Sequence, residues 1–262
     1  MPTFKTDESD YLTEDVDGKP TRLLATGAFG SFNEALLGLG DISQPSQAID
    51  SIAAVFDLEG FTNFCKQIEP HLSVPLFLSH FLKWLMGELK DEMTKKKHTN
   101  GASLWSPLPY FVKFMGDGLL VLWNSTSMSD MQRRNVVVAA NNICNNYENE
   151  FIPTISDKVV DTPHRLRCGL ARGTVYSVGN GNDYVGSCIN MAARLQKLPG
   201  LSFAFNRRGF DLQTESAFYK NKVLIKKIAI RGIGENELVC ILKSQFDELK
   251  GTDKSFYRNA GG

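Results

Sequence analysis

The chain has 262 residues, of which 42% are hydrophobic and 22% charged, and its 29 Lys and Arg balance 29 Asp and Glu to a formal net charge of zero. That length gives room for one large domain or two small ones with a substantial core, and the balance excludes a protein that lives by coating nucleic acid or an anionic membrane. No apolar run reaches the ~20 residues of a membrane helix and no basic-then-apolar leader opens the chain, so a cytoplasmic protein without nucleic-acid or membrane partners is expected.

The first 47 residues are broken by Gly27, Gly30, Gly38, Gly40 and Pro45, and read as an N-terminal arm with one short helix near 33–39. Ile52-Ala53-Ala54-Val55-Phe56 is a short apolar run ending at Asp57, the pattern of a buried strand. Over 74–93, Phe77, Phe81, Leu85 and Leu89 recur at helical spacing. This predicts a core-facing helix that runs out into Lys95-Lys96-Lys97, a solvated end. Apolar runs at 110–114 and 119–123 flank Gly116-Asp117-Gly118, a hairpin signature with Asp-Gly at its tip. A second long helix places Val137, Ala140, Cys144, Tyr147 and Phe151 on one face, with Ser129-Asp130 as its cap. Strands follow at 166–171 and 175–178, then a short helix at 187–198, a strand at 201–205, a helix at 209–218, and strands at 223–230 and 238–242. The central order strand, helix, hairpin, helix, strand predicts a ferredoxin-like α+β fold, an antiparallel-rich sheet with helices on one face.

Five cysteines (Cys65, Cys144, Cys168, Cys188, Cys240) stand singly, and four histidines show no ligand spacing. Reduced, buried thiols are expected, and any metal must be held by oxygen. Three segments place polar residues where a core wants apolar ones. Asp57 ends a buried strand in Phe56-Asp57-Leu58-Glu59-Gly60-Phe61-Thr62, where an acid can hold a hard cation and a glycine turn can meet phosphate. Asp117 sits at the hairpin tip, where the plainer role is a turn aspartate bonded to its own backbone. Asn190 and Arg194 stand four apart and share a helix face; the plainer role there is a surface Asn beside an ion-paired Arg.

Taken together and in this order, Phe-Asp-Leu-Glu-Gly-Phe-Thr, Lys113-Phe114-Met115-Gly116-Asp117-Gly118 and the run from Asp183 to Arg194 resemble the class III nucleotidyl cyclase domain, the adenylyl and guanylyl cyclase family. The resemblance covers roughly 50–243 and implies an arm at 1–47, a catalytic domain at 48–245 and a tail at 246–262. It implies that Asp57 and Asp117 hold two divalent cations, Mg²⁺ or Mn²⁺, with the Leu58 backbone carbonyl as an extra ligand. Gly60, Phe61 and Thr62 are then the phosphate-binding loop. The substrate is a nucleoside triphosphate whose 3′-hydroxyl attacks the α-phosphorus in line, releasing pyrophosphate. Asn190 orients the ribose and Arg194 stabilises the pentavalent state, so that positioning and charge supply the rate. Family sites form between two subunits; with both halves in one chain, the resemblance implies a homodimer with two shared active sites. Many members carry a phosphate-binding Lys where this chain has Ile233, with Arg231, Lys226 and Lys227 as nearby cations.

In that family Lys113 and Asp183 read the base. A donor beside an acceptor suits adenine, cytosine and, in swapped order, uracil, so hydrogen-bond chemistry leaves ATP, CTP and UTP open. Within the family the chain is most similar to the bacterial pyrimidine cyclases of anti-phage (Pycsar) signalling. The cues are the short arm without a sensor, the 60 positions between the two aspartates, and Phe56, placed to shorten the base pocket. UTP conversion to cyclic UMP is the reading this implies, ahead of CTP and then ATP, with a downstream cyclic-nucleotide effector as partner. The non-enzyme alternative is a degenerate domain that binds nucleotide without turnover; intact Asp57, Asp117, Asn190 and Arg194 speak against it.

Overall fold

A computed structural model describes residues 3–210 and 217–260. The helix expected at 209–218 falls largely on 211–216, outside the described residues. The chain divides into two compact units, residues 1–48 with 176–185, and residues 49–175 with 186–262.

In the first unit, β1 (Tyr11–Val16) and β2 (Lys19–Leu24) form an antiparallel hairpin. Its two turn residues, Asp17 and Gly18, take positive φ of 54° and 76°, the conformation that favours Asp-Gly in two-residue hairpins. The expected irregular arm thus contains a hairpin that its Asp-Gly pair signals. Helix α1 (Thr26–Gly30) follows, and a 3₁₀ turn (Glu34–Leu37) occupies the place of the expected short helix.

The second unit begins with β3 (Ala48–Glu59), α2 (Phe61–Phe64) and α3 (Pro70–Met93). In α3 the buried residues are Phe77, Phe81, Leu85, Leu89 and Met93, the stripe that the spacing predicts. The three lysines are not a helix end. They lie on β4 (Thr94–His98), which pairs with β5 (Gly101–Leu104), because Asn100-Gly101 supplies turn chemistry that ends the helical period. The expected Asp-Gly hairpin is β6 (Phe111–Phe114) and β7 (Gly118–Asn124). Helix α4 (Asp130–Asn146) is capped by Ser129, whose hydroxyl accepts from the Gln132 N–H while the Gln132 side chain accepts from the Ser129 N–H. It passes through a π-turn (Tyr147–Phe151) into α5 (Ile152–Ile155). Asn142 and Asn146 tie it to α3 by donating to Glu92 and Glu88, each at 2.9 Å.

One continuous strand, β8 (Arg165–Val178), replaces the two expected around Arg172-Gly173. Arg172 is held on that strand by Asp50 and Ser125, which keeps the backbone extended through the glycine. The last residues of β8 pair with β9 (Asp183–Val185) inside the first unit. Then come α6 (Ser187–Leu195), β10 (Phe203–Asn206), α7 (Ala217–Lys222), β11 (Val223–Ile230), β12 (Gly234–Leu242), α8 (Lys243–Glu248), α9 (Gly251–Lys254) and β13 (Arg258–Asn259).

The main sheet runs β13-β11-β12-β10-β8-β3-β7-β6. Its last four strands, taken in chain order, stand fourth-first-third-second, the ferredoxin-like arrangement. Side chains alternate across each strand. Ile52, Ala54, Phe56 and Leu58 of β3 and Leu166, Cys168 and Leu170 of β8 therefore enter one core with the buried stripes of α3 and α4. Helix α6 packs on the opposite face, where a Cβ on Gly169 would lie 2.1 Å from the Ala192 carbonyl oxygen. The helices thus flank the sheet on both faces rather than one, and only a residue without a side chain at 169 lets α6 approach so closely. All five cysteines are free thiols, four of them buried. Burial pushes the Cys188 thiol up to about 11 and the Cys240 thiol up to about 12. No helix among the described residues is long and apolar enough to cross a membrane.

Candidate active site

The end of β3 and the start of β7 bring two predicted residues together. Asp57 stands opposite Gly118 in the antiparallel register, and the Leu58 N–H donates to the Asp117 carbonyl at 3.0 Å. The approach is close enough that a Cβ on Gly118 would lie 1.9 Å from the Phe56 carbonyl oxygen, so the second glycine of Gly-Asp-Gly is required for this pairing. Strand alternation turns Asp57 to the face opposite the α3–α4 core.

The same alternation corrects the expectation for Phe56. Its ring is fully buried in the core with Phe64, Phe77 and Phe81, on the face away from Asp57. It is a core residue and cannot floor a base pocket on the Asp57 face.

Asp57 is 8% exposed, and its carboxylate takes Arg167 Nη2 at 2.5 Å. Glu59, next on that face, lies 3.6 Å from Arg167 Nη1 and 3.5 Å from Arg165 Nη1. A ladder of two acids on β3 and two arginines on β8 therefore runs beside Asp117. The sequence reading passed over Arg165, Arg167 and Glu59, although Arg165-Leu166-Arg167-Cys168 carries the period-two signal of charges on one face and core on the other. Asp117 is half-buried, and among the described residues its carboxylate has no hydrogen-bond or ion-pair partner. It does not serve as a turn aspartate bonded to its own backbone.

Gly60 is left-handed and caps the four-residue α2, so Phe61 and Thr62 open a helical turn directly after the acids. Their N–H groups have no carbonyl to bond within that turn. No cluster of three or more His, Cys, Asp or Glu side chains that could hold a metal occurs among the described residues. A closed protein cage is thereby excluded there, but one or two carboxylates completed by substrate phosphates and water is the usual way Mg²⁺ is held. Asp57, the unpartnered Asp117 and the Leu58 carbonyl fit that pattern.

The second half of the predicted set is carried by α6. Cys188, Met191, Ala192 and Leu195 are buried against the sheet, leaving Asn190 and Arg194 exposed and four apart. Asn190 lines a cavity of about 450 Å³ together with Arg172, Ser187, Arg208, Ile233 and Glu237, while Arg194 lies outside its lining. Of the cations near Ile233, Lys226 is committed elsewhere, bonded to Asn259 at 3.0 Å and stacked 4.1 Å over the Phe246 ring.

The cavity beside Asn190 and the aspartates stand toward different ends of β3. Arg172, on the cavity wall, is ion-paired to Asp50, whereas Arg167 is paired to Asp57. Asp50 and Asp57 are seven residues apart on one extended strand, about 23 Å. Lys113, half-buried on β6, belongs to the larger unit, and Asp183 on β9 belongs to the smaller one, where its carboxylate accepts from the Tyr184 N–H at 2.9 Å.

No family model matches the sequence, and no curated protein matches it. Solved structures do. The catalytic core of a rhodopsin-guanylyl cyclase with converted specificity, in complex with ATPαS, aligns with a TM-score of 0.50 at 18% identity, over 76% of this chain and 98% of that one. A bacterial light-regulated adenylyl cyclase aligns with a TM-score of 0.49 at 14% identity, over 83% of this chain and 60% of that one. The guanylate cyclase domain of RhGC from Catenaria anguillulae, in complex with GTP, gives 0.48 at 18% identity, over 75% and 98%. At such identity the likeness to the rhodopsin-guanylyl cyclase core is one of architecture: the chain has the fold of a nucleotidyl cyclase catalytic domain.

Proposed function

We propose that this chain is a metal-dependent nucleotidyl cyclase that converts a nucleoside triphosphate to a 3′,5′-cyclic nucleotide and pyrophosphate. The observation that supports the reading is that Asp57 and Asp117 stand side by side at the end of β3, while Asn190 lines a cavity whose wall, Arg172, is paired to Asp50 toward the other end of the same strand. A monomer holds two half-sites; a two-fold pair of chains, each offering its aspartates to the other's α6, holds two whole ones. Asp57, Asp117 and the Leu58 carbonyl would hold two divalent cations, Mg²⁺ or Mn²⁺, which when bound supply charge to the triphosphate and acidify the ribose 3′-hydroxyl. The Phe61 and Thr62 N–H groups face the phosphates, Asn190 fixes the ribose, and Arg194 neutralises charge that grows on the α-phosphate during attack. Arg167, the counter-ion of Asp57, holds that carboxylate in place until a cation of higher charge density competes for it.

Lys113 and Asp183 are the proposed base readers. The substrate we favour is UTP, with CTP and then ATP behind it, and the product a second messenger of bacterial anti-phage defence that acts on a cyclic-nucleotide effector. That refinement is supported by the resemblance to pyrimidine cyclases, and Phe56 no longer adds to it. The test is incubation of the full chain with each of the four nucleoside triphosphates and Mn²⁺, with products identified by mass spectrometry. Cyclic UMP and pyrophosphate are expected. Cyclic AMP in large excess would overturn the pyrimidine reading and keep the cyclase; no cyclic product from any substrate would overturn both.

A further inference from the structure

The cavity beside Asn190 holds two arginines whose situations differ. Arg172 has its donors committed: Nε to Ser125 Oγ at 3.1 Å, Nη1 to the Gly209 carbonyl at 3.1 Å, and Nη2 to the Asp50 carboxylate. Its charge is balanced, and its role is to hold β8, β3 and the loop after β10 together. Arg208 is the opposite case. Its backbone N–H donates to the side chain of buried Asn206 at 2.7 Å, which fixes where the residue leaves β10. Its exposed guanidinium lines the cavity with no hydrogen-bond or ion-pair partner among the described residues. The first turn of α6, at Ser187 and Cys188, lines the same cavity, so the positive end of that helix, without a side-chain cap, shares the cavity with Arg208. Glu237 is the acidic residue in the lining and sets a limit on where an anion can sit, while Ile233 contributes only apolar surface.

The geometry points to Arg208 as the residue of this chain that grips the polyphosphate of the bound nucleotide from the α6 side. A guanidinium presents its donors as a planar fork matched to two phosphate oxygens, and it stays charged at every working pH. A triphosphate entering beside Asn190 finds in Arg208 the cavity's one guanidinium, among the described residues, whose donors are not already spent. The identity of the anion as a nucleotide's polyphosphate rests on the cyclase reading; the anion site itself rests on the cavity.

The test uses the full chain as wild type, Arg208→Gln, Arg208→Lys, and Arg208→Gln combined with Ile233→Lys, which brings an ammonium into the same cavity from the β11–β12 turn. Binding of inorganic tripolyphosphate is measured by titration calorimetry, and KM and kcat with the preferred nucleotide are measured in parallel. Arg208→Gln is expected to weaken tripolyphosphate binding and raise KM, each about tenfold, the effect of losing ~1.4 kcal/mol. Arg208→Lys should retain part of the binding, and Ile233→Lys should recover part of what Arg208→Gln loses, which a structural defect would not allow. Tripolyphosphate binding that depends on Arg208 in a chain that makes no cyclic nucleotide would overturn the cyclase reading and keep this site. Binding that is absent, or equal in wild type and Arg208→Gln, overturns the site whatever the activity.

Discussion

Asp57→Asn and Asp117→Asn are expected to be alike in activity and unlike in stability. Asp57 and Arg167 form an ion pair whose side chains are 11% and 21% exposed. Removing one partner of a fully buried pair costs roughly 3–5 kcal/mol, because the survivor's charge is left uncompensated, while exposed pairs contribute ~0–1 kcal/mol. Arg167 keeps some solvent and has Glu59 at 3.6 Å as a second partner. A loss of ~1–3 kcal/mol is therefore expected for Asp57→Asn, or roughly 3–10 °C in Tm for a chain of this size. Among the described residues Asp117 has no side-chain partner to lose, so Asp117→Asn should stay within about 0.5 kcal/mol of wild type. In turnover with Mn²⁺ each variant should fall by about a hundredfold or more, the scale of removing one group that stabilises developing charge. Thermal denaturation followed by a product assay on the same preparations separates the two effects. An Asp57→Asn chain as stable as wild type would refute the energetic account of the Arg167 pair, and either variant turning over at near wild-type rate would refute the paired-aspartate site.

Phe56→Ala should cost ~3–5 kcal/mol by opening a cavity in the α3–α4 core; denaturant unfolding measures the loss, and product ratios that shift toward purines would instead place the ring at the base. Burial pushes the Glu92 carboxyl above its ordinary value, against the hydrogen bond from Asn142 that lowers it. Ionising it then costs the folded chain more than the unfolded one, so the penalty is absent at low pH and grows as pH rises through the carboxylate range. Glu92→Gln, which keeps an oxygen for Asn142, should raise Tm at about pH 7 and leave it unchanged at about pH 3.5; an equal gain at both would refute burial as the cause. Substitution of Lys113 or Asp183 should mainly lower turnover of the preferred nucleotide, read as kcat/KM across the four substrates, and unchanged values for both would remove them as base readers.

How far the sequence went depended on which signals were local. The α3 stripe, the Ser129 cap and the Gly116-Asp117-Gly118 hairpin were legible because each is written within one element. Asp57 and Asp117 stood out as polar residues at a strand end and a hairpin tip, but their proposed role came from the family resemblance, not from position alone. The Asp17-Gly18 and Asn100-Gly101 turns were equally local and were passed over beneath broader labels, an irregular arm and a lysine helix end. What the chain order did not carry was the pairing across strands. Arg167 meets Asp57 and Arg172 meets Asp50 only because β8 lies beside β3. Phe56 was read by its neighbour in sequence, but alternation along β3 sends the two side chains to opposite faces, so adjacency to Asp57 carried no information about the site. Arg208 gave no motif at all; its candidacy comes from a cavity whose walls are residues 172, 187, 190 and 233.

The central claim is that the aspartates of one chain work with α6 of another. Asp57→Ala and Arg194→Ala, each inactive alone, are co-expressed in equal amounts with different tags, and the mixed dimers are isolated beside wild type. Random pairing makes about half the dimers mixed, and each mixed dimer regains one intact site of two, so the unfractionated mixture should recover about a quarter of wild-type turnover and the isolated mixed dimers about half. Verified mixed dimers that stay inactive beside an active wild type would contradict the shared site.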